Sequence, residues 1–315
     1  MSTPTPHPAH YSAQDAALIA RIRTWMAERN YSQAALARLA RISSSSLNQI
    51  IKGVYATSPT KLLASVDSAM RNFDEGGQDA SAAVETSVYK LAHAACAMAR
   101  RYRNFAVLTG FVGTGKTFAL KRYVRANPNT WLIEATPTMT PQSLVRLLAR
   151  TVLGADPKGS MDDKFRAVVD ALRNTDSLLI VDEAETLTPH QLHTLRRLRD
   201  LANIGVVLAG TEWLTGLIKP ERGQFDQIRS RCGFWPETVR GITQEDAAAL
   251  VQASLGTEDV PDDVVARLYA YSRGSARMLV EGLLAAVKEY RKGRALDCKL
   301  VDAVARQALC LHSVA

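Results

Sequence analysis

Apolar side chains in the first quarter of the sequence recur every three or four residues, the spacing that puts them on one face of an α-helix. These positions are Ala17, Ile19, Ile22, Met26, Leu36, Leu39, Ile42, Leu47, Ile50 and Ile51. The pattern predicts an all-α domain of short helices over residues 12–72. The segment 1–11 is rich in Pro, Ser, Thr and His and predicts a disordered arm, and the Gly-Gly pair within 73–84 predicts a linker.

The pattern changes at about residue 85, where continuous apolar runs begin to alternate with helical stretches. The runs are Phe105–Thr109, Trp131–Ala135, Leu178–Asp182 and Ile204–Ala209, and the helical stretches are 85–101, 117–126, 141–153, 161–173 and 189–202. Buried strands alternating with helices are typical of a parallel sheet covered on both faces, so residues 85–240 predict an α/β domain. Helical stretches near 243–254, 261–272, 275–291 and 298–310 predict a small all-α region over 241–315.

The composition is that of a globular protein, with 47% apolar and 22% charged residues in a chain of 315, a length that suggests two domains. No apolar run reaches the roughly 18 residues that a membrane span needs. The first residues lack the basic and apolar regions of a signal peptide. The four cysteines have no C-x-x-C spacing, which argues against a zinc site or a disulfide framework. We therefore expect a cytoplasmic protein with reduced thiols and no membrane partner.

The net charge of +8 is unevenly distributed. Residues 81–235 carry a net charge of +7, whereas residues 1–80 carry +2 and residues 236–315 carry −1. A positive field centred on the α/β domain favours a polyanionic partner, either a nucleic acid or a nucleotide.

The segment 110–117 fits the phosphate-loop pattern G-x-x-x-x-G-K-[ST] without a mismatch, and it follows an apolar run and precedes a helical stretch, as that motif requires. Glycine backbones direct N–H groups at phosphate oxygens, Lys116 faces the β- and γ-phosphates of ATP, and the Thr117 hydroxyl is a ligand for Mg²⁺. The candidate nucleotide-binding residues here are Gly110, Phe111, Val112, Gly113, Thr114, Gly115, Lys116, Thr117 and Phe118.

Two later apolar runs end in polar residues suited to ATP hydrolysis. Asp182 ends one run and is a second candidate ligand for Mg²⁺, while Glu183 is positioned to orient or deprotonate the attacking water. Glu185 is interpreted as part of the start of the next helix. Thr211 follows the next run and would lie beside the γ-phosphate if its strand lay between those of the phosphate loop and Asp182. The alternative for Thr211 is a residue that serves only the turn.

Three arginines are candidate ligands of the ATP phosphates. Arg231, and after it Arg229, stand before a predicted strand and could reach the γ-phosphate of a neighbouring subunit. A surface ion pair is the alternative for both. Arg277 opens a helix of the C-terminal region and is a candidate lid contact with the nucleotide.

The phosphate loop, the acidic pair Asp182 and Glu183, Thr211 and the three arginines follow one another along the chain as they do in AAA+ ATPases. The chain therefore resembles the AAA+ ATPases over about residues 85–310. The predicted domain order is similar to that of the phage Mu B family of transposition proteins. It consists of a helix-turn-helix domain, a linker, an α/β P-loop NTPase core with a parallel sheet, and a short helical lid. The resemblance implies that ATP and Mg²⁺ are bound, that the protein assembles as a helical filament on double-stranded DNA, and that it recruits a DDE transposase. It also implies that hydrolysis disassembles the filament. Thr211 stands where AAA+ proteins often have Asn.

The segment 31–53 resembles a helix-turn-helix of the phage-repressor kind. Ser32 is expected to cap a helix over 33–40, Ser43 to cap a second over 44–52, and Gly53 to end it. Side chains expected to face the major groove are Ser44, Ser45, Asn48, Gln49 and Lys52. Because the domain carries little charge, binding should be weak or auxiliary, and a three-helix protein-interaction module is the alternative.

The basic α/β domain supplies further DNA-binding candidates, which would contact phosphates and show little sequence preference. They are Thr136, Thr138 and Thr140 in one loop, and Lys158, Lys164 and Arg166 near the next helix. Arg196, Arg197 and Arg199 share another helix, and a solvated face or a subunit contact is the alternative for them.

Two other functions remain open from the sequence. One is an AAA+ helicase loader or initiator, although such proteins more often carry a partner-docking segment at the N-terminus. The other is a DNA-binding repressor that responds to nucleotide, which would not need Glu183.

Overall fold

In the part of the chain that the structure describes, the buried hydrophobic side chains form four clusters, which divide it into three structural regions. The structure is a computed structural model. It describes residues 10–29, 31–40, 42–81, 84–173, 175–218, 226–256, 260–291 and 293–312. One cluster belongs to the N-terminal helices, two cover the opposite faces of a sheet, and the fourth belongs to the C-terminal helices.

The N-terminal domain consists of four helices whose ends agree with the capping residues of the sequence. They are α1 (Ala13–Glu28), α2 (Gln33–Leu39), α3 (Ser44–Lys52) and α4 (Thr60–Ser81). The Ser32 and Ser43 side chains accept N–H donors in the first turns of α2 and α3, as predicted. Gly53 ends α3 in the left-handed conformation at φ 72°, where glycine is favoured.

Two boundaries of this domain differ from the prediction. Tyr11, assigned to the N-terminal arm, is buried in the domain core, and its hydroxyl accepts the N–H of Tyr55 at 3.2 Å. Residues 1–9 of the arm lie outside the described residues. Most of the segment 73–84 is helical rather than an irregular linker, because α4 continues to Ser81. Within the described residues, no helix combines the length and the apolar character needed to cross a bilayer.

The second region is built around a parallel five-stranded sheet with the strand order β2-β3-β4-β1-β5. The strands are β1 (Phe105–Thr109), β2 (Thr130–Glu134), β3 (Leu178–Asp182), β4 (Gly205–Gly210) and β5 (Cys232–Phe234). β1, β3 and β4 are buried along their whole length, as their continuous apolar runs predicted. β4 lies between β3 and β1, which meets the condition set for Thr211.

Helices cover both faces of this sheet. They are α5 (Ser87–Tyr102), α6 (Lys116–Ala126), α7 (Pro141–Leu153), α8 (Met161–Leu172) and α9 (Pro189–Ala202). Side chains of α5 and α6 share one cluster with the sheet, and those of α7, α8 and α9 share the other. The short helices α10 (Trp213–Ile218) and α11 (Asp226–Arg229) lie between β4 and β5 in the chain.

The C-terminal region is a helical lid with its own core. It contains α12 (Gln244–Leu255), α13 (Asp262–Ser272), α14 (Ala285–Arg291) and α15 (Cys298–Leu309). The helix predicted over 275–291 contains a π-helical stretch, Met278–Leu284, ahead of α14. Such stretches occur often at functional sites, and this one follows Arg277 directly.

One arginine connects the N-terminal domain to the sheet domain. Arg38, on α2, donates a hydrogen bond to the Val152 carbonyl at 3.0 Å, and its guanidinium lies 4.9 Å from the centre of the Trp131 ring. Burial lowers the pKa of Arg38, and a nearby Tyr31 hydroxyl opposes the shift. The contact is made by α2, whereas the candidate recognition side chains are on α3 and are exposed. The domain can therefore rest on the ATPase core while its candidate DNA-binding face remains accessible.

We expect Arg38→Ala to weaken this docking, because it removes both a hydrogen bond and a cation–π contact, together worth about 1–2 kcal/mol. Limited proteolysis between the two domains should become several-fold faster. Arg23→Ala is the matched control, since Arg23 donates to the Ile51 carbonyl at 2.6 Å inside the N-terminal domain. Equal cleavage rates in the wild type and Arg38→Ala would contradict the docking role.

Candidate nucleotide-binding site

The phosphate loop connects β1 to α6, and two of its glycines adopt backbone conformations that other residues rarely do. Gly113 and Gly115 have φ values of 79° and 99°. Gly110 does not adopt a positive φ. A Cβ atom at Gly110 would come within 2.9 Å of the Val239 Cβ, so this glycine permits close contact between the loop and the chain after β5.

Lys116, the first residue of α6, is held in the centre of the loop. Its Nζ donates to the carbonyl oxygens of Gly110 at 2.6 Å and Phe111 at 3.0 Å, and the residue is 8% exposed. Burial lowers the pKa of Lys116, while the nearby carboxylates of Asp182 and Glu185 oppose the change. The ammonium is thus already ordered at the position where the motif directs it toward phosphate.

The Thr117 hydroxyl and the end of β3 meet beside the loop. Thr117 Oγ1 donates to Asp182 Oδ2 at 2.7 Å, although the two residues are far apart in the sequence. The other carboxylate oxygen of Asp182 accepts the N–H of Glu183 at 3.0 Å. A hydroxyl and a carboxylate next to a phosphate loop are the hard oxygen ligands that Mg²⁺ prefers, so the residues present fit that ion.

Glu183 has an unusual backbone for a residue other than glycine. Its φ and ψ are 55° and 33°, and its side chain is exposed at the edge of the sheet. Left-handed conformations at such residues cost free energy and cluster at functional sites. The conformation turns the chain sharply after β3, so that Asp182 is buried while Glu183 is accessible to solvent.

Two polar side-chain atoms near the end of β4 have no hydrogen-bond partner among the described residues. They are Thr211 Oγ1 and Glu185 Oε2, and both are buried. Glu185 lies in a 3₁₀ turn, Ala184–Thr186, and its carboxylate packs so closely on Gly210 that any larger residue there would collide with it. Glu185 lies in the first turn of this short helix, as expected from the sequence, and its side chain also reaches across to β4.

A cavity of about 410 Å³ opens between the loop, α5 and the lid. Its volume is within the range of small-molecule sites. The phosphate-loop side consists of residues 113–118, while Gly110, Phe111 and Val112 are not part of the lining. Phe111 and Val112 are instead exposed, at 45% and 71%. The motif did not indicate the remaining lining residues, which include Thr86, Tyr89, Leu250, Ala253, Ser254 and Val280.

The lid contacts the phosphate loop at the carbonyl oxygen of Gly113. The Arg277 N–H donates to the Gly113 carbonyl at 3.0 Å, and the Ser275 hydroxyl donates to the same oxygen at 3.4 Å. A Cβ atom at Gly113 would collide with Ser275 Oγ, so glycine is required there for packing as well as for its φ. The Arg277 side chain lines the cavity, 61% exposed and 3.9 Å from the Glu281 carboxylate.

Arg231 lies at the opposite edge of the sheet from the phosphate loop. Its carbonyl accepts the N–H of Phe105, the first residue of β1, whereas the loop follows the last residue of β1. A strand of five residues extends about 17 Å, so the two edges are well separated. The Arg231 guanidinium donates to Asp200 at 3.0 Å, and the exposed Arg229 ends α11 nearby.

The candidate DNA-binding residues differ in how accessible they are. On α3 all five candidates are exposed, as are Thr136, Thr138, Thr140 and Lys158 in the core. Thr140 also caps α7 by accepting the Ser143 N–H at 3.2 Å. Arg166 is exposed and pairs with Asp162 at 2.7 Å.

Lys164 is a wrong candidate for DNA contact. It is 8% exposed and forms an ion pair with Asp156, which neutralises its charge locally. On the helix that carries three arginines, Arg196 and Arg199 both pair with Asp200, whereas Arg197 is exposed.

Comparison with known protein families identifies the class of protein to which this site belongs. Residues 99–218 match the family model described as an AAA domain, and residues 22–64 match a helix-turn-helix model. With the sheet order and phosphate loop above, these matches define an AAA+ ATPase with an N-terminal helix-turn-helix domain.

The relatives narrow this class to one family. The chain is 30% identical over 248 residues to the Mu-like prophage FluMu DNA transposition protein B of Haemophilus influenzae, covering 75% of this chain and 84% of that protein. The chain therefore belongs to the family of Mu-like DNA transposition B proteins. The ATP-dependent target DNA activator B of Escherichia phage Mu is 34% identical over 131 residues, 40% of this chain and 41% of that protein.

Among solved structures, the Thermotoga maritima RuvB Holliday junction branch migration motor is similar over 70% of this chain and 67% of its own. The sequence identity is 17% and the TM-score is 0.48.

We expect Lys116→Ala to abolish ATP binding, because the loop would lose the only positive side chain buried within it. Titration with a fluorescent ATP analogue measures the affinity directly. Lys121→Ala is the matched control, since Lys121 is on the same helix but pairs with Glu134 at its surface. Wild-type affinity in Lys116→Ala would mean that the nucleotide does not bind at this loop.

Proposed function

We propose that the protein is an ATP-dependent DNA-binding ATPase of DNA transposition, which assembles as a helical filament on target DNA and recruits a DDE transposase. The observation that carries this proposal is the position of Arg231, at the sheet edge opposite its own phosphate loop. An arginine so placed can complete only the site of another subunit. The names of the relatives support the role in transposition, since one is called an ATP-dependent target DNA activator.

In the proposed complex the triphosphate lies along the phosphate loop, with Lys116 beside its β- and γ-phosphates. Thr117 and Asp182 would hold Mg²⁺, which neutralises charge on the phosphates when it is bound. Glu183 is the candidate general base, because it is exposed at the strand end next to the buried Asp182. The unpartnered Thr211 hydroxyl is available to contact the γ-phosphate or the attacking water.

The trans arginine makes assembly depend on ATP. A guanidinium next to the γ-phosphate of a neighbouring subunit stabilises the charge of the transition state and also attracts the ground-state triphosphate. ATP would then hold neighbouring subunits together, and loss of the γ-phosphate would weaken the contact. This gives hydrolysis a physical means of disassembling the filament.

Two surfaces are available to hold double-stranded DNA. The recognition-type helix α3 presents polar and basic side chains to solvent, and the core carries the positive excess of the chain. The accessible core candidates are Thr136, Thr138, Thr140, Lys158 and Arg166. Contacts of this kind are made to phosphates, so binding would be largely independent of sequence.

We expect Glu183→Gln to retain ATP binding and to reduce hydrolysis by about 10²–10⁴-fold, the usual contribution of a general base. Filaments on DNA should persist after ATP addition, as electron microscopy can record, and should still capture transposase. Glu134→Gln, at the exposed end of β2, is the matched control and should hydrolyse ATP normally. Isolated subunits on DNA with ATP, in both variants, would count against a filament.

A mixing experiment tests whether Arg231 acts in trans. Arg231→Ala and Glu183→Gln should each be nearly inactive alone, but their mixture should recover part of the DNA-stimulated hydrolysis. A mixed assembly pairs an intact Glu183 with an intact Arg231 across some subunit contacts. The same mixture made with Arg229→Ala identifies which arginine is needed. No recovery with either arginine variant, although both still bind ATP and assemble, would argue that the arginines do not act across the interface.

A further inference from the structure

One buried carboxylate connects the ATPase core to the lid next to the cavity. Asp246, in the first turn of α12, accepts the N–H of Ser87 at 2.8 Å and also the hydroxyl of that serine. Ser87 is the first residue of α5, which belongs to the core. Within the lid the same carboxylate accepts the N–H of Thr243 at 3.0 Å, and the Thr243 hydroxyl accepts the Asp246 N–H.

The electrostatic setting favours a charged Asp246. The first N–H groups of a helix have no partner within it, and the start of a helix carries a partial positive charge. Asp246 lies at the starts of two helices at once, α5 and α12. Burial by itself would raise the pKa of Asp246, but the hydrogen bonds from Ser87 and Thr243 outweigh it and lower the pKa below its ordinary value.

Both helices that meet at Asp246 also form walls of the cavity. Thr86, the cap of α5, and Tyr89, in its first turn, line the core side. Leu250 and Ser254 line the lid side, one and two turns along α12 from Asp246. A change in the distance between Ser87 and Asp246 would therefore move one wall of the cavity against the other.

We propose that Asp246 is a positioning residue for the ATPase, which sets the spacing between the core wall and the lid wall of the nucleotide cavity. The proposal rests on the proposed placement of ATP in this cavity. It does not depend on the role in transposition. The carboxylate acts through the two helices rather than by touching the nucleotide.

Purely local capping is the competing explanation, and the lid contains a matched control for it. Asp297 caps α15 by accepting the Leu300 N–H at 2.8 Å, and among the described residues its side chain makes no hydrogen bond to the core. Asp297→Ala should lower the thermal stability of the lid as the loss of a cap does. It should leave the KM for ATP unchanged, because the cavity walls keep their spacing.

The test compares steady-state ATP hydrolysis and ATP affinity in the full-length chain. In Asp246→Ala, KM and Kd for ATP should rise about tenfold, the size expected when a hydrogen bond to a charged group is lost. The kcat at saturating ATP should fall by much less. Asp246→Asn should have an intermediate effect, because its amide retains one acceptor oxygen for the Ser87 N–H.

If Asp246→Ala does not fold, Ser87→Ala provides a second test of the same contact. It removes only the hydroxyl bond to Asp246 and leaves the Thr243 contacts of α12 intact, so a rise of about threefold in the KM for ATP is expected. A wild-type KM in Ser87→Ala and Asp246→Asn, or an equal rise in Asp297→Ala, would overturn the proposal. ATP binding retained in Lys116→Ala would instead overturn the placement of ATP on which it rests.

Discussion

Parallel strands bring all of their carboxyl ends to one edge of the sheet, and the nucleotide site depends on this constraint. The order β3-β4-β1 places the end of β4 between Asp182 and the phosphate loop. Three segments far apart in the chain thereby supply the ligand-binding loop, the acidic pair and the unpartnered Thr211 hydroxyl at one edge. The same constraint sends Arg231 to the other edge, because it precedes β5 rather than following it.

The lid completes the site from a region with its own hydrophobic core. The Gly113 carbonyl receives both the Arg277 N–H and the Ser275 hydroxyl, so the lid contacts the loop that would hold phosphates. A second contact, between Ser87 and Asp246, joins the core and lid at the far side of the cavity. These two contacts join the lid to the core at the phosphate loop and at the start of α5.

Local patterns in the sequence were sufficient for fully buried strands and for helices with strong caps. The ranges of β1, β3, α7 and α9 were predicted to the residue, since uniform burial marks the two strands and capping residues mark the two helices. The sequence could not indicate what depends on distant contacts. Lys164 has a basic side chain, but an ion pair with Asp156 neutralises it. Tyr11 was predicted to belong to a disordered arm, yet it is buried and its hydroxyl accepts the N–H of Tyr55.

The cavity could not be predicted from the sequence either, because its walls depend on contacts between residues far apart in the chain. Thr86 and Leu250 come from helices separated by the entire sheet domain, and neither belongs to a motif. Only the packing of the lid brings them together. The phosphate loop is different, because its function depends on backbone conformation and consecutive residues, which a short sequence pattern records in full.

The pairing of Arg231 with Asp200 is compatible with a role for this arginine in another subunit. The two side chains are about one-third exposed, and ion pairs of that kind contribute only about 0–1 kcal/mol to stability. Asp200 also pairs with Arg196 and Arg199, so it would remain neutralised if Arg231 moved away. A triphosphate carries more negative charge than the Asp200 carboxylate, which is shared by three arginines. In the proposed assembly, Arg231 would exchange this exposed ion pair with Asp200 for a phosphate of the neighbouring subunit.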